Sequence, residues 1–203
     1  MSKQKAILQL KEIERLSRGE RLAAEEWQED WKTLIAIVMS ARTTDKKTIP
    51  VAEQLFRKYR TVQSLAKASP SDIGRIIRPV NFYRTKSRNI SSLSKILVKK
   101  YQGKVPHDFS KLIELPGVGR KTANVFLASH GHSAIGADTH VSWISSQMGW
   151  TKSSKQEKIE EDLKKIFPEK YWGRVNEILV RFGQTYRSRK EKARILEKIK
   201  LLK

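Results

Sequence analysis

Apolar residues along this chain recur mostly every three or four positions, the period of a helix that buries one stripe. Ile7, Leu8, Leu10, Ile13 and Leu16 predict an amphipathic helix over 5–17, stopped by Gly19. Trp27, Trp31, Leu34, Ile35 and Val38 predict a second over 22–39, with both tryptophans in the core. Asp45 is the expected N-cap of a third, which ends near Tyr59 and tolerates Pro50 close to its start. Short helices are expected over 61–68 and 70–77, then a turn at 78–83, then a long basic helix over 84–101 that ends at Gly103. Further helices are expected at 108–114, 120–130, from Asp138 to Met148, 154–166, 169–182 and 188–202. Strand-like alternation of useful length is missing, and no segment repeats at a fixed period. The prediction is an all-α chain of ten or eleven mostly short helices.

The chain has 203 residues, enough for one large domain or two small ones with a real core. Lys and Arg number 42 against 21 Asp and Glu, a formal net charge of +21. Such a balance points to a polyanionic partner, either nucleic acid or an acidic membrane surface. No run of about 18 apolar residues exists to span a bilayer. The start, Met1-Ser2-Lys3-Gln4-Lys5, has no apolar signal core, so a cytoplasmic, nucleoid-associated protein is expected. Cysteine is absent. That excludes disulfides, thiolate zinc sites, cysteine-ligated iron–sulfur clusters and a cysteine nucleophile. The four histidines form no H-x₃-H pair, so no metal-ligand set is assigned.

The densest signal is Leu115-Pro116-Gly117-Val118-Gly119-Arg120-Lys121-Thr122-Ala123-Asn124, a tight turn running straight into a helix. Glycine supplies the positive φ and close backbone approach of such a turn. The first N–H groups of the helix have no intrahelical partner, so they and the dipole make an anion site, beside Arg120 and Lys121. A lysine there has two readings, a charged phosphate contact or an amine nucleophile. Asp138 opens the next helix as Asp138-Thr139-His140. It too has two readings, a plain N-cap or a rigid carboxylate able to stabilise developing positive charge.

The turn together with Ala137-Asp138-Thr139-His140 resembles the helix–hairpin–helix, Gly/Pro…Asp superfamily of base-excision DNA glycosylases, and within it the endonuclease III family. Three more segments carry the resemblance. Met39-Ser40-Ala41-Arg42-Thr43-Thr44-Asp45 is similar to the family's L-S-A-Q-x-T-D loop. Tyr83-Arg84-x-Lys86-x-x-Asn89-Ile90 is similar to its Y-x-x-K-x-x-N-I segment, and Gly103-Lys104-Val105-Pro106 to its G-x-V-P lead into the hairpin. Residues 25–185 are covered.

The resemblance implies a two-lobed helical fold with the active site in the cleft between lobes. One lobe would be 30–136 and contain the hairpin; the other would join 1–29 to 137–203. It implies a bifunctional DNA glycosylase and AP lyase, with Lys121 attacking C1′ of a damaged nucleotide and Asp138 assisting. The substrate would be double-stranded DNA with a damaged base, an oxidised pyrimidine foremost, or an abasic site, bound by a monomer. Phe82 would be the wedge that enters the stack and Arg42 the residue that fills the vacated space. Gly117, Val118, Gly119 and Arg120 would grip phosphate, His140 would contact DNA, and a monovalent cation could bridge hairpin carbonyls to the backbone.

Two departures stand out. The family's usual wedge is aliphatic and its usual plug is Gln, where this chain has Phe82 and Arg42; Phe82 is alternatively a core residue. Most of the family also carries C-x₆-C-x₂-C-x₅-C around a [4Fe–4S] cluster, and Arg187 stands about where the first cysteine falls. The chain is expected to hold no cluster, and Ile195, Leu196, Ile199 and Leu202 could dock a helix in its place. Alternatives are a glycosylase of the same superfamily acting on mismatched pyrimidine or oxidised guanine, a non-catalytic hairpin DNA-binding protein, and a basic membrane-surface protein.

Overall fold

A computed structural model describes residues 2–186 and 188–202, and every regular element among them is helical. The chain divides into two compact units, Arg21–Phe126 and the joined segments Met1–Glu20 and Leu127–Lys203.

In the Arg21–Phe126 unit the first helix is not the one that the tryptophan spacing predicts. Residues 21–29 form turns and bends, and the helix begins only at Asp30. Two local bonds and one left-handed residue hold the turns. Leu22 N–H donates to Glu25 Oε2 at 2.8 Å, Trp27 Nε1 donates to the Ala23 carbonyl at 2.8 Å, and Glu26 takes a left-handed φ of 65°. Side-chain acceptors compete with the helical pattern there. Trp31 is buried, whereas Trp27 is half-buried, with its ring edge-on to Phe56 and under the Arg21 guanidinium.

Numbered along the chain, the helices of this unit are α2 (Asp30–Ser40), α3 (Asp45–Lys58), α4 (Val62–Ala66), α5 (Pro70–Ile76), α6 (Tyr83–Tyr101) and α7 (Phe109–Ile113), and α8 (Arg120–Ser129) starts in it. Thr44, not Asp45, is the N-cap residue of α3, and Asp45 is its first helical residue. Caps explain the short helices. Thr61 and Ser64 form a reciprocal capping box on α4, Ser69 accepts from Asp72 N–H ahead of Pro70, and Asp108 accepts from Lys111 N–H. The amphipathic α6 is the axis of the unit. Ile90, Leu93 and Leu97 are fully buried, and α4, α5 and α2 pack on it.

The other unit holds α1 (Lys3–Arg15), the C-terminal end of α8, α9 (Thr139–Met148), α10 (Gln156–Ile166), a 3₁₀ turn (Glu169–Tyr171), α11 (Trp172–Thr185) and α12 (Arg189–Lys200). One apolar cluster joins Leu10 and Ile13 of α1, Val141 and Ile144 of α9, Leu163 of α10, Leu179 and Phe182 of α11, and Leu196 and Ile199 of α12. Ile195 and Leu202 pack on it from the side. The terminal helix therefore docks by the four residues whose spacing predicts it. Arg187 lies outside the described residues.

Candidate active site and its flanking loops

The hairpin is fixed from below and open above. Leu115 and Val118 are buried, and Val118 N–H donates to the Leu115 carbonyl at 3.0 Å. Gly117 has φ +81°, and a Cβ there would lie 3.0 Å from Asn89 Cβ and Nδ2, so both backbone and space demand glycine. Gly119 differs: its φ is ordinary and a Cβ would meet nothing within 4 Å. Gly119 is thus an open face rather than a forced turn, and its carbonyl accepts from Ala123 N–H at 3.0 Å, which enters α8. Arg120 stacks on Phe109 of α7, 5.2 Å from its centroid.

Lys121 follows in the first turn of α8 and is half-buried. Behind it Thr122, Ala123, Asn124 and Phe126 are buried, so the helix start is rigidly seated. Among the described residues the Lys121 amine has no hydrogen-bond or ion-pair partner. A polar group held on a rigid element with no protein partner is available to a ligand.

In the other unit, Asp138 is the N-cap of α9, as its position before the helix predicts. Its Oδ1 accepts from Val141 N–H at 2.8 Å, and its carbonyl accepts from Ser142 N–H at 2.8 Å. Its second oxygen, Oδ2, has no partner among the described residues. The cap thus orients the carboxylate while using half of it. The preceding loop is anchored by Asn176 Nδ2 on the Gly136 carbonyl at 2.6 Å, and Ile135 and Ala137 are buried. His140, two residues along, rests on Gly183 of α11: a Cβ at Gly183 would stand 2.1 Å from His140 Nδ1.

Two further predicted residues meet although 40 positions apart. Arg42 lies in the loop after α2, and Phe82 is the N-cap of α6. Phe82 is 60% exposed, which removes the core alternative. The Arg42 guanidinium lies 5.7 Å from the Phe82 ring centroid, and both residues have left-handed backbones. Sequence reasoning did not anticipate what holds this pair. Lys86 is 6% exposed, and its Nζ donates to the carbonyls of Met39 at 2.7 Å and Ala41 at 2.6 Å, and to Thr43 Oγ1 at 3.3 Å. A buried ammonium thus closes the C-terminal end of α2, where the dipole favours a cation. Asn81 adds bonds from Nδ2 to the Arg42 carbonyl at 2.6 Å and from its N–H to Thr43 Oγ1 at 3.2 Å. The signal was present: Lys86 shares the buried stripe of α6 with Ile90, Leu93 and Leu97.

Comparison with known proteins decides what this assembly belongs to. The family model of HhH-GPD superfamily base excision DNA repair proteins matches residues 35–169. Endonuclease III of Thermotoga maritima is 45% identical over 155 residues, which cover 76% of this chain and 73% of that protein. The chain belongs to the endonuclease III family. Rickettsia felis endonuclease III is 33% identical over 159 residues, covering 78% of this chain and 75% of that one. A solved trapped endonuclease III–DNA covalent intermediate matches with TM-score 0.84 and 34% identity, over 93% of this chain and 89% of that chain. The protein is thus a base excision repair enzyme, a DNA glycosylase in a family of glycosylase/AP lyases. It departs from the family's usual cofactor: with no cysteine in the sequence, the thiolate ligands of a [4Fe–4S] cluster are missing, and the donor set does not fit one. No helix among the described residues is long and apolar enough to cross a membrane.

Proposed function

We propose that this enzyme removes an oxidised pyrimidine from double-stranded DNA and then cuts the strand, with Lys121 as nucleophile and Asp138 as the assisting carboxylate. The observation that carries the reading is the Lys121 amine, rigidly placed beside an anion-binding hairpin and without a partner among the described residues. Gly117, Val118, Gly119 and Arg120 hold the backbone phosphate through N–H groups and charge. The target nucleotide is flipped out of the stack, and Phe82 and Arg42 occupy the space it leaves.

The steps run on groups of the chain and of the DNA. The Lys121 nitrogen lone pair forms a bond to C1′, and the C1′–N bond breaks with its electron pair on the departing base, which takes up a proton. The free oxygen of Asp138 faces the positive charge that develops on the sugar. The C1′–O4′ bond then breaks with its electron pair on O4′, which takes up a proton from the attached nitrogen, leaving an imine between Lys121 and C1′. Removal of a C2′ proton then expels the 3′ phosphate, and water releases the lysine.

Borohydride reduces such an imine and fixes the enzyme to DNA. Trapping is expected on duplexes carrying an oxidised pyrimidine or an abasic site. Lys121→Ala is expected to abolish trapping while keeping DNA affinity, and unchanged trapping in that variant sinks the assignment. Asp138→Asn is expected to slow base removal by about 10²–10³-fold, the cost of losing one electrostatic contact to a transition state. Full activity in that variant reduces Asp138 to a helix cap. Panels with mismatched thymine or oxidised guanine check the lesion assignment, and faster excision of either replaces the oxidised pyrimidine.

A further inference from the structure

The terminal helix α12 buries a charge. Lys192 is 8% exposed, an unusual position for an ammonium unless bonds compensate its lost hydration. Its Nζ donates to the Gly183 carbonyl of α11 at 3.2 Å and lies 5.6 Å from the ring centroid of Trp143 on α9. Burial, and secondarily the charge of Arg189, lower its pKa. One side chain of α12 is therefore clasped by two other helices.

The clasp leads to the candidate carboxylate. Gly183 is the residue on which His140 lies: beyond the 2.1 Å to Nδ1, an added Cβ would stand 2.7 Å from Cγ and 2.8 Å from Cε1. His140, Trp143 and Asp138 all belong to the start of α9, within about one and a half turns. A second latch ties the far end of α12. Lys200 Nζ donates to the Gln147 carbonyl at 3.3 Å, and the Lys200 carbonyl accepts from Gln9 Nε2 at 3.3 Å. Gln9 in turn accepts from Trp150 Nε1 at 3.1 Å. Between the latches Leu196 and Ile199 fill the core. The helix is thus pinned at both ends to α9.

We propose that α12 holds the first turn of α9 in its working position, and that Lys192 is the positioning residue, setting α11 against His140 and so fixing the direction of the Asp138 carboxylate. The proposal rests on the reading of Asp138 given above. Lys192 touches no reacting atom. Its loss acts on the chemical step through Asp138, not on DNA affinity.

The test is single-turnover excision on a duplex with one oxidised pyrimidine, beside DNA affinity and borohydride trapping on a preformed abasic duplex. Lys192→Met keeps the apolar stem and removes the charge. It is expected to slow excision about tenfold or more, with DNA affinity within about twofold of the parent and abasic trapping retained. Lys192→Arg, which keeps the donor and the charge, is expected to restore most of the rate. Wild-type excision in Lys192→Met, or a lowered melting temperature as its only effect, overturns the proposal. If Lys192→Met does not fold, Trp143→Leu removes the aromatic face and leaves the ammonium. It carries the same expectation at about threefold or more, and an unchanged rate there overturns the proposal equally. A fully active Asp138→Asn would instead remove the reading beneath it. An inactive Asp138→Asn beside an unaffected Lys192→Met removes the positioning role alone.

Discussion

The guanidinium of Arg42 stands 5.7 Å from the ring centroid of Phe82, and the two residues have φ of 56° and 59°. A left-handed backbone costs a non-glycine residue about 1–2 kcal/mol, and such strain persists where surrounding structure imposes it. Among the described residues the Arg42 side chain has no hydrogen-bond or ion-pair partner, so its five donors are free. In the vacated space an all-donor fork meets the Watson–Crick edge of the opposite base, where cytosine offers two adjacent acceptors, O2 and N3, and guanine and adenine one each, O6 and N1. The expected outcome is tighter binding to an abasic duplex with cytosine opposite the site than with adenine opposite. Arg42→Gln, which can both donate and accept, should narrow the difference by about 1–3 kcal/mol, roughly 10–100-fold. Equal affinities for the two duplexes in the parent enzyme would remove Arg42 from base reading.

Lys86 is the residue that holds this loop, and its titration has a definite sign. Burial lowers its pKa from 10.5 to about 8. Between those values the folded amine is neutral while the unfolded one still binds a proton. The unfolded state therefore binds more protons, and stability rises with pH across the window. Below pH 8 the buried charge is a constant penalty. Lys86→Met removes the titration but leaves the Met39 and Ala41 carbonyls without their donor, which costs about 1–3 kcal/mol. Urea unfolding at pH 7 and pH 10 should show a lower midpoint for the variant at both, and a larger deficit at pH 10. A deficit that shrinks as pH rises would contradict the assignment.

Much of this was legible because helical period, caps and the hairpin are local signals. The cap at Asp138 and the docking face of α12 follow from spacing alone. The segment 21–29 did not, because Leu22, Trp27 and Glu29 bond locally in ways that a hydrophobic stripe does not encode. The pairing of Arg42 with Phe82 was legible only through family resemblance, since no spacing rule joins residues so distant in sequence. Lys192 looks like a surface lysine in a chain with 42 basic residues, and Lys86, although on the buried stripe of α6, carries no sign of what it bonds. Only the fold shows that carbonyl groups receive them.

The two hairpin glycines should separate stability from binding. Gly117→Ala places a Cβ at φ +81° and 3.0 Å from Asn89. Strain of about 1–2 kcal/mol is expected, seen as a lower melting temperature together with weaker DNA binding. Gly119→Ala adds a methyl where nothing lies within 4 Å, on ordinary backbone. Its melting temperature should be unchanged or slightly raised, because alanine has fewer unfolded states. If Gly119 faces phosphate, affinity should still fall. A Gly119→Ala enzyme with unaltered affinity would place the phosphate elsewhere.

Affinity for undamaged duplex should fall linearly on a log–log plot against salt, since a net charge of +21 favours counterion release from the DNA. The slope counts the phosphates neutralised, at about 0.9 per contact. Arg120 sits where the hairpin meets α8 and is held over Phe109 rather than free to swing. Arg120→Gln should reduce the slope by about one and weaken binding to all sequences alike. Lys67, an exposed lysine after α4, supplies the control: Lys67→Gln should leave the slope unchanged if the hairpin face carries the backbone contact. Equal changes in slope for the two variants would mean that the excess charge acts as a diffuse field rather than through the hairpin.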